Sequence, residues 1–216
     1  VNPDNPNQYE YMGEWRDFNV IEEVIKVNGG EDVVLNVRET LHGPVISDVL
    51  DEQPDVLAMR WTAASDPSRI LQSALSINQA QNFDEFREAL RYWDIPSQNF
   101  VYADRGGNIG LYVPGRMPIR QNGLGLVPAP GWDGEHEWKG WIPHEELPHA
   151  VNPAQGYLVT ANNKVAGIEY PHHYSCDQYD GQRARRITDL LLAQDKASMD
   201  DFARIQMDVH TLSGAE

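Results

Sequence analysis

Phe18-Asn19-Val20-Ile21-Glu22-Glu23-Val24-Ile25-Lys26-Val27-Asn28-Gly29-Gly30 is the stretch that decides the fold class. Residues 18–27 are mixed but rich in β-branched side chains, which fit a pleated surface. Asn-Gly-Gly supplies residues that tolerate positive φ in a tight turn. Beyond it Val33, Leu35 and Val37 alternate with the two-residue period of a strand. The stretch predicts a hairpin whose second strand runs on towards a bend at His42-Gly43-Pro44.

Outward from this hairpin, Val56 to Thr62 predicts another strand. Asn82 to Trp93 predicts a helix: Asn82 caps it, Glu85 stands three residues later, and Phe83, Phe86, Leu90 and Trp93 keep helical spacing. Phe100–Asp104 and Asn108–Val113 flank Arg105-Gly106-Gly107, a second hairpin signal. Residues 114–148, rich in Pro, Gly and Trp, read as ordered loop with short strands. Tyr157 to Ala161 predicts a strand and Arg183 to Leu192 a helix. Ser198, with Asp201 three residues on, caps a last short helix. Strands dominate the first half and helices come late, so the class is α+β rather than alternating βαβ. Both ends, Val1 in an Asn/Pro tract and Ser213-Gly214-Ala215-Glu216, read as cut from a longer protein, making residues 1–216 one internal segment.

A net charge of -16 over 216 residues argues against a phosphate-backbone partner and so against nucleic acid. No apolar run is long enough to span a bilayer. A hydrophobic content of 41% is enough for a packed core. The single cysteine, Cys176, rules out an internal disulfide and any multi-cysteine metal site.

Among chemistry-bearing residues, Asn162 stands out. It is the first of an Asn162-Asn163 pair closing the run Gly156-Tyr157-Leu158-Val159-Thr160-Ala161. An amide N–H fixed there can donate to a developing oxyanion, a contribution worth roughly 2.7–4 kcal/mol; the pair can equally make a simple turn. Arg183, Arg185 and Arg186 begin a predicted helix, where cations are disfavoured. That placement implies that at least one of them has a specific acidic or amide partner, although a solvated helix face accounts for the set as well. Trp132, Trp138 and Trp141 crowd one loop, with Glu145 and Glu146 close behind. This segment supports an alternative reading, an acidic carbohydrate-binding lobe or a glycoside hydrolase, against the plain one of a loop anchored by indoles. Adjacent carboxylates diverge, however, and cannot flank one scissile bond. His172, His173, Cys176 and Asp177 lack the spacing of a metal-binding pair on a helix.

Several ordered segments resemble the β subunit of penicillin amidases. They are Tyr9-Glu10-Tyr11-Met12-Gly13-Glu14-Trp15, Leu41-His42-Gly43-Pro44-Val45-Ile46-Ser47-Asp48, Asn99-Phe100-Val101-Tyr102-Ala103-Asp104 through Asn108-Ile109-Gly110, Gly131-Trp132-Asp133-Gly134 with Trp138-Lys139-Gly140, and Val151-Asn152-Pro153 followed by Gly156 to Asn163. The resemblance implies a partial αββα sandwich of antiparallel sheets with helices, the fold of N-terminal-nucleophile hydrolases. It implies hydrolysis of linear amides, of the penicillin, cephalosporin or N-acyl-homoserine lactone type, by an enzyme cut autocatalytically from a zymogen. The nucleophile is then a serine at the start of the β chain, with its own α-amine as base. An α-amine titrates near pH 7.7–8.0 and so accepts a proton close to neutrality.

By the same resemblance the oxyanion donor falls on Asn162 and the active-site arginine on Arg186. A structural calcium would take Asp177 and the carbonyl of Gly125. Val1 is not a nucleophile, so the serine, its base and the α subunit would lie outside this chain, which alone would be inactive. The partners implied are the α subunit, the remainder of the β subunit and a small acylamide, in the periplasm or secreted.

Overall fold

A two-residue turn at Met12-Gly13, with φ of 53° and 80°, opens the ordered chain. Two consecutive positive φ values match the twist of a tight hairpin, and the turn joins strands β1 (Gln8–Tyr11) and β2 (Glu14–Asp17) in the register Tyr11↔Glu14. The computed structural model describes residues 1–50, 54–65, 67–175, 178 and 180–212. The further elements are β3 (Asn19–Ile25), β4 (Val33–Thr40), β5 (Gly43–Pro44), α1 (Ile70–Gln79), α2 (Phe83–Leu90), β6 (Phe100–Ala103), β7 (Ile109–Tyr112), β8 (Pro118–Arg120), β9 (Trp138–Trp141), β10 (His149–Val151), α3 (Gln182–Leu192) and α4 (Met199–Gln206). Every strand pairing among the described residues is antiparallel, and the class is α+β.

The chain divides into two compact units, Val1–Ser68 with Arg116–Trp141, and Arg69–Gly115 with Ile142–Glu216.

In the first unit the deciding hairpin forms as the sequence predicts. β3 pairs β4 from Asn19↔Glu39 to Ile25↔Val33, and Gly29 takes φ 76° in the turn. β5 folds back on β4 after the His42 bend. Gly43, at φ 122°, could not carry a side chain, because a Cβ would run into the Met59 carbonyl oxygen. The strand expected over Val56 to Thr62 shrinks to one bridge, Val45↔Ala58. Its partner edge is too short: β5 has two residues, and the chain beyond it enters a 3-10 turn at Ser47–Val49. The expected strand residues themselves run into another such turn at Thr62–Ala64. β8 pairs β9, and Phe18, Val45 and Met117 are the buried apolar side chains of this unit.

The second unit has the larger core: Phe86, Ala89, Leu90, Leu111, Tyr112, Val113, Ile142 and Leu147. Asn82 caps α2 as predicted, its Oδ1 accepting from the Glu85 N–H at 3.0 Å. The helix stops at Leu90 rather than Trp93. The next residues tighten into i→i−3 bonds, Arg91 to Glu88, Tyr92 to Ala89 and Trp93 to Leu90. α1 packs on α2, with the buried Ser73 hydroxyl donating to the Ala89 carbonyl at 2.8 Å. β6 and β7 form the second predicted hairpin, and β10 adds to the far edge of β7. Asp104 closes the turn, accepting from both the backbone and the side-chain amide of Asn108 at 3.0 and 2.8 Å.

The strand expected over Tyr157 to Ala161 is not one. These residues join no ladder among the described residues and are tied instead by side chains such as Asn99, whose amide donates to the Thr160 hydroxyl. α3 and α4 follow as predicted, α4 with a full capping box between Ser198 and Asp201.

Candidate active site

Because the segment before it joins no sheet, Asn162 is positioned by local chemistry. Its φ is 61°, in the left-handed region that Asn tolerates better than other side-chain-bearing residues. Asn163 braces the turn from behind, its Oδ1 accepting from the Ala161 N–H at 2.9 Å. Arg183, on the first turn of α3, reaches back to the same place. One guanidinium nitrogen donates to the Ala161 carbonyl and to Asn162 Oδ1, both at 2.8 Å. The Asn162 side-chain oxygen Oδ1 is thereby engaged, and the side chain is exposed. The Nδ2 group, with two N–H donors, lies on the side of the amide opposite Oδ1 and so faces away from Arg183.

Arg186 lies one helical turn further along α3 and points elsewhere. Its guanidinium grips Asp208 in a two-pronged pair, Nε to Oδ2 at 2.8 Å and the terminal nitrogen to Oδ1 at 3.0 Å. That pairing holds the Asp208 carboxyl below the usual range and raises Arg186. All three arginines that began the helix against its dipole therefore have partners of the kind the sequence implied, an amide for Arg183, the Asp189 carboxylate at 4.0 Å for Arg185 and the Asp208 carboxylate for Arg186. The structure joins Arg183, not Arg186, to Asn162 by hydrogen bonding. That choice was not readable from spacing, because it depends on the loop bringing residue 162 back to the helix start.

The segment continues from Asn162 into a pocket of about 260 Å³ walled by Lys164, Tyr170, His172, His173 and Tyr174. Tyr170 donates to the Glu146 carbonyl at 2.8 Å, and burial pushes its hydroxyl up to about 12. His172 meets the Glu146 carboxylate at 2.6 Å.

The carboxylates of the carbohydrate reading are committed elsewhere: Glu146 to His172, and Glu145 to Arg91 at 2.7 Å. Hydrogen bonding to Arg91 holds Glu145 low, the reverse of what a proton-donating acid needs. In the other unit Trp138 and Trp141 meet edge-to-face at 5.4 Å, and Arg60 covers the Trp138 ring at 4.6 Å. Such crossed, partly covered indoles form no flat stacking platform, and Trp132 alone of the three is exposed. Glu137, beside them, bonds His42 at 2.7 Å and Arg60 at 2.5 Å.

Of the candidate metal ligands, Asp177 and Cys176 lie outside the described residues. Gly125 offers its carbonyl from an exposed turn at φ 75°, and the Arg120 guanidinium packs against its Cα, a poor setting for a second cation. Among the described residues no three His, Cys, Asp or Glu side chains gather as a metal site. No helix among them is long and apolar enough to cross a membrane.

The penicillin amidase family model matches residues 1–216. The chain belongs to the penicillin amidase family. Penicillin acylase 2 proenzyme of Pseudomonas sp. (strain SE83) is 37% identical over 185 residues, 85% of this chain and 24% of that protein. Acyl-homoserine lactone acylase QuiP of Pseudomonas fluorescens is 32% identical over 217 residues, 98% of this chain and 26% of that protein. The chain thus spans about a quarter of the length of these relatives. A solved structure of thermostable penicillin G acylase from Alcaligenes faecalis superposes with a TM-score of 0.79 at 29% identity, covering 96% of this chain and 37% of that one. The expected fold is therefore shown: the chain has the fold of a penicillin amidase, an amidohydrolase family. The proenzyme name agrees with a family made as a precursor.

Proposed function

We propose that this chain carries the oxyanion-stabilising part of an amidase that hydrolyses linear acylamides to a carboxylic acid and an amine. The observation that carries the reading is Asn162 itself. It is held in a left-handed turn with its oxygen engaged by Arg183, and its Nδ2 donors point away. A tetrahedral intermediate concentrates negative charge on the former carbonyl oxygen. A donor already oriented towards it costs no reorganisation when that charge appears.

The nucleophile in this reading is an N-terminal serine outside these 216 residues, with its α-amine, acting through water, as base. An α subunit and the remainder of the β subunit from the same precursor complete the site. The acylamide is of the penicillin, cephalosporin or N-acyl-homoserine lactone type, in keeping with the relatives' names. Arg186 supports the site only indirectly, by tying α3, the helix that carries Arg183, to Asp208. The enzyme works in the periplasm or outside the cell. A structural calcium drawing on Asp177 would take no ligand from Gly125, whose turn is covered by the Arg120 guanidinium.

The test is Asn162→Ala in the full-length enzyme. kcat should fall roughly 10²–10³-fold with folding intact, the cost of losing one oxyanion donor. A change confined to KM would make Asn162 a substrate-binding residue and overturn the reading.

A further inference from the structure

We propose that Asn28 is a site of spontaneous covalent modification, the first asparagine of this chain to close on its own backbone and shed its amide. The chemistry needs an asparagine followed by a residue whose backbone nitrogen can reach the side-chain carbonyl carbon. A side chain on that residue crowds the approach, and proline has no N–H to lose. Glycine has neither defect. Of the chain's asparagines only Asn28 and Asn122 precede glycine.

The structure separates these two. Residues 27–30 form a turn closed by the Gly30 N–H, which donates to the Val27 carbonyl at 3.2 Å. Gly29 takes φ 76° while Asn28 keeps a negative φ, the pattern of a type II turn, whose central peptide makes no bond of the turn. The Gly29 N–H accordingly donates to no backbone acceptor among the described residues. The Asn28 side chain is exposed and makes no hydrogen bond among them. Space around Gly29 is open, since a Cβ built there would meet nothing within 4 Å. Asn122 is also exposed before a glycine at φ 73°, but its Nδ2 donates to the Glu135 carbonyl at 2.8 Å. That bond fixes the amide, and attack on its carbonyl carbon must first break it.

In the reaction Gly29 N gives its proton to hydroxide or water and bonds to Asn28 Cγ. The Cγ–Nδ2 bond breaks, the nitrogen leaves as ammonia, and a cyclic imide closes. Water then adds to either imide carbonyl and opens the ring, leaving Asp or an isoaspartyl link at residue 28. Nothing is oxidised or reduced. Either product adds a carboxylate to a hairpin tip that already carries Glu31 and Asp32, the latter paired with Lys26. The isoaspartyl product also lengthens the main chain inside the turn that sets the β3–β4 register.

The test incubates the mature full-length enzyme at mildly alkaline pH and follows it by isoelectric focusing and by peptide mapping that separates Asp from isoaspartyl products. Synthetic peptides of residues 26–30 and 120–124 give the rates without the fold. In the enzyme residue 28 should convert about fivefold faster than residue 122, the rate factor of one hydrogen bond, whereas the two peptides should convert at nearly equal rates. Conversion at residue 28 should quicken as pH rises, because the attacking nitrogen must lose its proton. Asn28→Ser should remove the first acidic band to appear, and Asn28→Asp should begin at that band. A residue 122 that converts as fast as residue 28 in the enzyme overturns the proposal. So does a residue 28 still intact when its peptide has reacted, or a rate ratio as large in the peptides as in the enzyme.

Discussion

Asn162 is held by contacts that accept either Asn or Asp, and that separates stability from catalysis at a single position. Asp also tolerates the left-handed backbone. Its carboxylate would meet Arg183 at least as well as the amide oxygen does, now as an ion pair. It has no N–H to offer, however, and would turn a negative oxygen towards the developing oxyanion. Asn162→Asp in the full-length enzyme should therefore leave the melting temperature unchanged or slightly raised. It should lower kcat by more than Asn162→Ala does, beyond roughly 10³-fold. Paired melting and kinetic measurements check this, and activity retained above the alanine level would show that the side chain does not face the oxyanion. The candidacy of residue 162 was legible in the sequence through the Asn pair and its neighbours. Which of three arginines holds it was not. Arg183 and Arg186 stand one turn apart on α3, and their different partners, Ala161 with Asn162 and then Asp208, are set by where two loops return.

Elements whose ends are fixed by neighbouring residues were the readable ones. Asn82 and Ser198 accept from backbone N–H groups three residues ahead, at Glu85 and Asp201, and both helices begin where those caps place them. α1 has no such signal. Its start at Arg69 is held by Asp94, whose carboxylate accepts the Arg69 backbone N–H at 2.7 Å from 25 residues away. No local pattern reports a cap supplied at that distance. Strands show the same division. The hairpin around Asn28-Gly29-Gly30 carries its partner beside it, whereas Val56–Thr62 and Tyr157–Ala161 have the composition of strands without an edge to join. The β1–β2 turn carries no clear signal at its first residue, because Met12 is not one of the usual positive-φ residues. The cap on α2 is testable by itself, because Phe86, Ala89 and Leu90 tie that helix to the core. Asn82→Ala should lower unfolding free energy by about 1 kcal/mol, and Asn82→Gly by only a few tenths, since glycine suits the cap backbone. Denaturant midpoints read both. Equal losses would mean that something other than the cap bond supplies the stability.

At the scale of the whole molecule the decisive quantity is charge. Acidic composition argues against a phosphate-backbone partner, and the order of short segments along all 216 residues pointed to the family, which single motifs could not do. Charge also governs how the protein meets acid, through contributions whose signs can be worked out. His144 Nε2 donates to the Arg87 carbonyl at 3.1 Å, because a carbonyl oxygen only accepts, so that nitrogen carries the proton. Burial first, and the Arg91 charge second, hold the ring below its ordinary range. The unfolded chain protonates this ring near pH 6.5, the folded chain only lower, so stability is lost as pH falls through about 6.5. Glu137 works at lower pH. Burial raises its carboxyl, but hydrogen bonds and charge from His42 and Arg60 outweigh that and leave it lowered. Asp48 is lowered by its hydrogen bond to Arg38. Carboxyls of this kind stabilise the fold above about pH 4 and lose that contribution below it. Against these runs the relief of self-repulsion as -16 falls towards zero near the isoelectric point of about 4.7. Above that pH, relief opposes the His144 loss and the net change is shallow. Below it the chain gains positive charge, so repulsion returns just as the paired carboxyls are neutralised. Denaturant midpoints measured across pH 3–8 should therefore change little down to about 5 and fall steeply below about 4.5. His144→Gln keeps a donor for the Arg87 carbonyl and should raise the midpoint relative to the unsubstituted protein progressively as pH falls below about 6.5, an offset that then persists through the acid limb without moving the pH at which that limb falls. A midpoint that goes on rising below pH 4 would mean that the ion-paired carboxyls add almost nothing. A His144→Gln effect equal at every pH would assign that residue's contribution to packing and not to its proton.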